Sequence, residues 1–382
     1  MEMVKTVLFD VDGVLLSEER YFDMSALTVW EVINSEKYLG LDSEKFKTNV
    51  NDEEITMIRA NIFQNDKVLK LMKSGGINSN WDMIYLTVSY QLIRLLEQVK
   101  DTEKESIVKW VSNEIDRTVL QEIATVLKDK KVELDYSGFL TDFASSNKSK
   151  EGLFAHIDKI AKEKLNVEAT VFGQIGTLWS TCELIAQEWY VGDKHVLAST
   201  GRPSVQTGKK GFLSDEKTLR SPEEIADLFQ SLKDAGVVIG IGTGRPELET
   251  IEPFKHLDWL KYFDVNNIAT ADDVLDAERK LPAAPPLSKP HPYTYVLALS
   301  SKTKSAEECL AETLPLENGN ELLIVGDSLA DLLAARKMGA VFAAVLTGLS
   351  GKNARAEFEE HNADHILDDV SGIKELVLSL VK

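Results

Sequence analysis

The sequence predicts an α/β protein whose parallel sheet is flanked by helices and interrupted, soon after its first strand, by a long helical insertion. Three observations carry this. Short, almost wholly apolar runs mark the beginning and the last part of the chain, as strands buried on both faces of a parallel sheet do. The segments between the later runs have helical spacing and clear start and stop signals. The stretch 17–216, by contrast, is helical in pattern with few strand-like runs.

The elements follow in order. Val4 to Asp10 is the first apolar run and ends in acid. Within the insertion Ile84, Val88, Leu92 and Leu96 share one helical face, and 114–127 and 153–165 repeat the spacing. The polar stretches NSEKYLGLDSEK, KSGGINSN and SSNKSKEG separate these helices. Further on, Ser221 can cap a helix with Pro222 in its first position, and Glu224 completes a capping box. Ile225, Leu228, Phe229 and Leu232 form its apolar face, and Gly236 stops it. Strand-like runs recur at 237–242 (VVIGIG), 322–326 (LLIVG) and 341–346 (VFAAVL), with shorter ones at 267–270 and 365–367. DSLADLLAARKMGA has the same helix grammar, with Gly339 as the stop. Leu281 to Pro292 is a rigid Pro-rich loop. The expected division is an α/β domain of 1–16 and 217–382 and a helical domain of 17–216.

Composition narrows the function. A chain of 382 residues, 43% hydrophobic and 27% charged, is a globular protein with room for two domains. Asp and Glu number 62 against 43 Lys and Arg, a net charge of -19. That field repels a polyanion, which argues against a nucleic-acid partner. It also repels a phosphorylated metabolite, so a site for one needs a local cation. Cys182 and Cys309 stand alone and form neither a disulfide framework nor a zinc cluster. They read as reduced thiols. The chain enters its first strand directly and has no apolar run of membrane-span length. The expectation is a cytoplasmic protein with no membrane partner.

Four motifs carry chemistry. In FDVDGV, strand alternation puts Asp10 and Asp12 on one side, at the carboxyl end of the sheet, where open α/β sheets bind ligands. A cation relieves two carboxylates held close, although Asp-x-Asp-Gly also suits a plain turn. In IGTGRP, Thr243 offers a hydroxyl and free N–H groups between strand and helix, and Gly244 permits close backbone approach. A simple strand-to-helix turn has the same form. In SKPHP a pinned Lys289 can neutralise a phosphate or a carboxylate. In GDSLADLLAA, Asp327 and Asp331 lie four residues apart at a helix N-terminus, as metal ligands or as caps.

This order of motifs resembles the haloacid dehalogenase (HAD) superfamily, and within it the phosphoglycolate phosphatase and β-phosphoglucomutase branch. The resemblance covers the α/β part. It implies a Rossmann-like core with a cap inserted between the first two motifs, the C1 position, so 17–216 is expected to be a helical C1-type cap. That insertion is much longer than the branch's compact four-helix cap. By resemblance Asp10 is the nucleophile that forms an aspartyl-phosphate, and Asp12 is the general acid and base. Mg²⁺ is expected on the Asp10 carboxylate, the Asp12 backbone carbonyl and the Asp327 carboxylate, supported by Asp331. Thr243, Gly244, Arg245 and Lys289 are expected around the phosphoryl oxygens.

Asp12 sets the sequence apart from the family's dehalogenases and phosphonatases, and the absent Lys-Thr-Gly-Thr sets it apart from its transport ATPases. The expectation is a Mg²⁺-dependent phosphatase acting on a small phosphorylated metabolite. The alternatives are a phosphomutase and a non-catalytic binding or regulatory protein. Within the insertion Arg20 is a candidate for reaching the substrate. So is Arg202, in a second Thr-Gly-Arg-Pro at 200–203 followed by Lys209 and Lys210; a solvated loop arginine is the plainer reading there.

Overall fold

The structure is a computed structural model that describes residues 4–77, 79–146, 149–169, 171–284 and 286–380. The chain divides into two units, Met1–Glu19 with Leu213–Lys382, and Arg20–Phe212.

The first unit is built on a six-stranded sheet. Its strands are β1 (Thr6–Phe9), β2 (Val238–Gly242), β3 (Ile268–Ala269), β4 (Leu322–Gly326), β5 (Val341–Val345) and β6 (His365–Leu367). All pairings are parallel, in the order β3-β2-β1-β4-β5-β6. Each apolar run of the sequence has become a strand. The period-2 rule explains why the runs are apolar throughout. Val7, Phe9, Ile239, Ile241, Leu323 and Val325 pack on one face, with Ile225, Leu228, Phe229 and Leu232 of the helix Pro222–Asp234. Leu8, Leu322, Ile324, Phe342 and Ala344 pack on the other, with Tyr293, Val296, Leu332 and Met338.

Helix boundaries follow local chemistry. Ser221 accepts from the Glu224 N–H, and the Glu224 carboxylate accepts from the Ser221 N–H. The helix Leu329–Met338 is capped by Ser328 and ends at Gly339, whose φ is 69°. The segments leaving β1 and returning to β2 are zipped together. Leu16 bridges Thr218, and Ser17 N donates to the Lys217 carbonyl at 2.8 Å.

The second unit is helical, with no strand among its described residues. Its helix Asn80–Glu97 is buried on almost every side and packs against Lys150–Leu165 and Thr177–Val191. A helix expected from residue 114 starts at Arg117, because the Asp116 carboxylate accepts from the Val119 N–H and caps it there. No helix among the described residues is long and apolar enough to cross a membrane.

Candidate active site

Register places the site. Phe9 pairs with Ile241 on one side and Val325 on the other, so Asp10, Thr243 and Asp327 leave the same carboxyl edge. Asp10 N donates to the Val325 carbonyl at 2.9 Å, and Asp10 Oδ1 accepts from Val11 N at 2.7 Å. Asp327 reaches inward between two glycines. A Cβ on Gly13, whose φ is +70°, or on Gly348 would overlap Asp327 Oδ2. Thr347, beside Gly348, donates to the Gly13 carbonyl at 2.6 Å and ties the two turns together.

Lys289 joins the acids. Its Nζ lies 3.0 Å from Asp10 Oδ1 and 2.7 Å from Asp331 Oδ1. Asp331 is fully buried. It also accepts from the Tyr295 hydroxyl at 2.8 Å and from Ser328 Oγ at 2.6 Å. Oxygens of Asp10, Asp327 and Asp331 lie within 4.8 Å of one another.

The electrostatics follow from crowding in a dry place. Burial pushes Asp10 up to about 7; Lys289 pulls it back, while Asp331 and Asp12 add to the rise. Asp327 stands well above the usual carboxylate range, through burial and then the charges of Asp331 and Asp10. Burial alone would lower Lys289, but Asp10 and Asp331 outweigh it and hold the ammonium charged. Carboxylates this close call for a cation, and an all-oxygen donor set with a glycine-made cradle suits a hard one such as Mg²⁺. Both Asp331 oxygens are already engaged, so its place is behind Asp10 and Asp327.

Asp12 points elsewhere. Its Oδ1 accepts from Arg245 Nε at 2.8 Å and lies 2.8 Å from Arg245 Nη2 as an ion pair. Burial raises its carboxyl, against the pull of Arg245. Thr243 is buried. Its N–H donates to the Ala269 carbonyl at 3.0 Å, and its hydroxyl accepts from Arg245 N at 3.1 Å. The hydroxyl hydrogen stays available for another acceptor. Among the described residues, nothing beyond its chain neighbours lies within 4 Å of a Cβ placed on Gly244.

Three residues expected to contact the substrate are paired with carboxylates in the structure. The Arg245 guanidinium is buried and turned to Asp12 and Glu216, because a buried guanidinium needs its charge matched. Arg20 is buried inside the helical unit, pairs with Asp23 and Asp52 at 3.1 and 3.0 Å, and lies over the Phe212 ring. Arg202 pairs with Glu183 at 2.7 Å and donates to the Ser180 carbonyl at 3.3 Å. Its neighbour Lys209 is buried between Glu31 and Glu188. The second Thr-Gly-Arg-Pro does repeat the first's local turn, since Thr200 Oγ1 accepts from Arg202 N at 3.0 Å. That turn follows a short helix rather than a strand.

Sequence reasoning passed over Tyr295, Ser328, Glu216 and Gly348. Tyr295 sits in YTYVLAL and reads there as one more apolar helix residue. Glu216 sits in a charged, aperiodic segment with no signal at all. Gly348, just past a strand run, carried a usable one.

A parallel α/β sheet with three aspartates and a lysine gathered at its carboxyl edge defines a hydrolase-type core. A family described as HAD-hydrolase-like matches residues 286–373, which include Lys289, Asp327 and Asp331. An X-ray structure described as Northeast Structural Genomics Consortium target ZR25 is 39% identical, covers 99% of both chains and has a TM-score of 0.91. A Thermotoga maritima protein provisionally named a β-phosphoglucomutase is 14% identical, with 99% of each chain covered and a TM-score of 0.40. A Clostridium difficile protein provisionally named a phosphatase is 16% identical, with 99% and 100% covered and a TM-score of 0.39. Scores that low say nothing of this chain's reaction. No curated protein sequence gives a match. The HAD-hydrolase-like match thus spans the part of the chain that carries Lys289, Asp327 and Asp331.

Proposed function

We propose that the protein is a Mg²⁺-dependent phosphohydrolase that cleaves a small phosphomonoester through an aspartyl-phosphate on Asp10. The observation that carries this is Lys289 held between Asp10 and Asp331, with Asp327 beside them at the sheet edge. A carboxylate steadied by an ammonium and open at the carboxyl edge is a nucleophile kept in place. Phosphate needs the positive charge that the acidic surface denies it.

An Asp10 oxygen attacks phosphorus, the bond to the leaving alkoxide breaks, and Asp12 gives that alkoxide its proton. Asp12 then takes a proton from water, which attacks the phosphorus of the aspartyl-phosphate and returns Asp10 as inorganic phosphate leaves. Thr243, the Gly244 backbone and Lys289 hold the phosphoryl oxygens. Tyr295 and Ser328 fix Asp331, which fixes Lys289. Asp10 and Asp327, with the Asp12 backbone and Asp331 in support, would hold Mg²⁺, which would supply positive charge for the phosphoryl group. The helical unit serves as a cap that selects small metabolites. The protein works in the cytoplasm and binds neither nucleic acid nor membrane.

The test is Mg²⁺-dependent phosphate release over sugar phosphates, nucleotides and small phospho-acids. A few related compounds should be hydrolysed, and folded Asp10→Asn should lose about a thousandfold or more. An Asp10→Asn variant with full activity overturns the reading. A sugar-phosphate isomer accumulating without free phosphate replaces it with a mutase.

A further inference from the structure

We infer that Arg245 and Glu216 are positioning residues that hold Asp12 in the orientation its proton transfers require. The inference rests on the phosphohydrolase reading above and adds to it two residues that touch no substrate. Arg245 is only 1% exposed. Its Nε donates to the Asp12 oxygen Oδ1 at 2.8 Å, and its Nη2 lies 2.8 Å from the same oxygen as an ion pair. Its Nη1 is 2.7 Å from Glu216 Oε1 and 3.1 Å from the Glu249 carbonyl. The Glu216 side chain is as buried as that of Arg245, while Asp12 keeps 29% of its side chain exposed. A dry pair therefore anchors one oxygen of a carboxylate that keeps part of its side chain exposed. Oδ2 then moves the proton.

The placement of Glu216 follows from the chain path. The residue after it, Lys217, accepts from Ser17 N, and Thr218 bridges Leu16. The segment that leaves the Asp12 turn is thus zipped to the segment that carries Glu216. The same zipper that closes the α/β unit aligns the relay Glu216–Arg245–Asp12. Arg245 is an arginine because a planar guanidinium can donate from Nε to one carboxylate and from Nη1 to a second while its charge lies beside both. An unpaired Asp12 would rotate freely about its side-chain torsions. A proton transfer depends on that geometry first.

The experiment compares two Mg²⁺-dependent substrates, p-nitrophenyl phosphate and β-glycerol phosphate. The aryl leaving group departs without a proton, and the alkoxide needs one. The value of kcat/KM reports on the step in which that proton is given. Arg245→Lys and Glu216→Ala should lower it for the glycerol ester roughly tenfold or more, and for the aryl ester roughly twofold or less. Asp12→Asn should show the same selectivity, larger. Glu216→Gln, whose amide oxygen accepts the same bond, should restore most of the loss. Thermal melts establish folding, and either Arg245→Lys or Glu216→Ala suffices if the other is unstable. Equal losses on both esters mark a merely structural pair and overturn the inference, as does no loss on either. Wild-type protein inert toward both esters overturns the hydrolase reading instead, and this inference with it.

Discussion

Lys209 shows how a residue's chemistry is fixed by what surrounds it. Its ammonium lies 2.7 Å from Glu31 Oε2 and against Glu188 Oε2, and all three side chains are wholly buried. The Trp189 ring covers it at 5.1 Å. Glu188 is further tied by the Val205 N–H at 2.7 Å. Two carboxylates share one cation, so burial pushes Glu31 from its ordinary 4.5 up to about 7, with Lys209 opposing and Glu188 adding. The folded protein therefore holds a proton that the unfolded chain has released. Stability should fall as pH rises between those two values. Glu31→Gln should flatten that slope and melt above wild type at pH 8, since it removes the surplus charge. Lys209→Met should cost about 3–5 kcal/mol, because it leaves two buried carboxylates without a cation. Melting curves between pH 5 and pH 8 check both, and an unchanged slope in Glu31→Gln would place the proton elsewhere.

At the scale of elements, the turn after β1 and the loop after β5 together make the cradle for Asp327. A methyl group at position 348 meets Asp327 Oδ2. Gly348→Ala should therefore push that carboxylate out of place and raise the Mg²⁺ needed for half-maximal phosphate release by roughly tenfold, about 1.4 kcal/mol of binding. The fold should survive, because the loop follows the strand rather than lying within it. A Mg²⁺ titration paired with a melting curve separates the two effects; an unchanged titration would show that Asp327 does not hold the cation. Element boundaries themselves were readable. Ser221 with Glu224 starts one helix and Gly339 ends another where the sequence places them, because these signals need only neighbours in the chain.

For the whole molecule, the net charge of -19 opposes the long-range approach of a dianionic substrate. Salt shortens the reach of that field to about 8 Å at 0.15 M. The value of kcat/KM for an anionic phosphomonoester should therefore rise with added NaCl over this range, by about twofold or more, at constant Mg²⁺. A steady fall instead would mean that positive charge focused at the site dominates the approach. Two units also mean two cores. The α/β unit buries both faces of its sheet, and the helical unit buries Asn80–Glu97 at its own centre.

The sequence by itself determined the six strands, the capped helices between them, and the four acidic, hydroxyl and lysine motifs that end at one sheet edge. Those features depend on periodicity and on residues a few places apart, so a linear reading reaches them. Asp10, Asp327, Asp331 and Lys289 meet because their strands are adjacent or their helix starts at the edge. Only tertiary structure decided the partners of the long cations. Arg20, Arg202, Arg245 and Lys209 are the residue types that grip phosphate, yet each is matched to carboxylates brought from distant segments. Burial makes an unmatched charge too costly to keep, and which acid comes to match it is set by packing rather than by spacing. Glu216 is the clearest case. In the sequence it is one acid among 62; in the fold it is the anchor of Arg245.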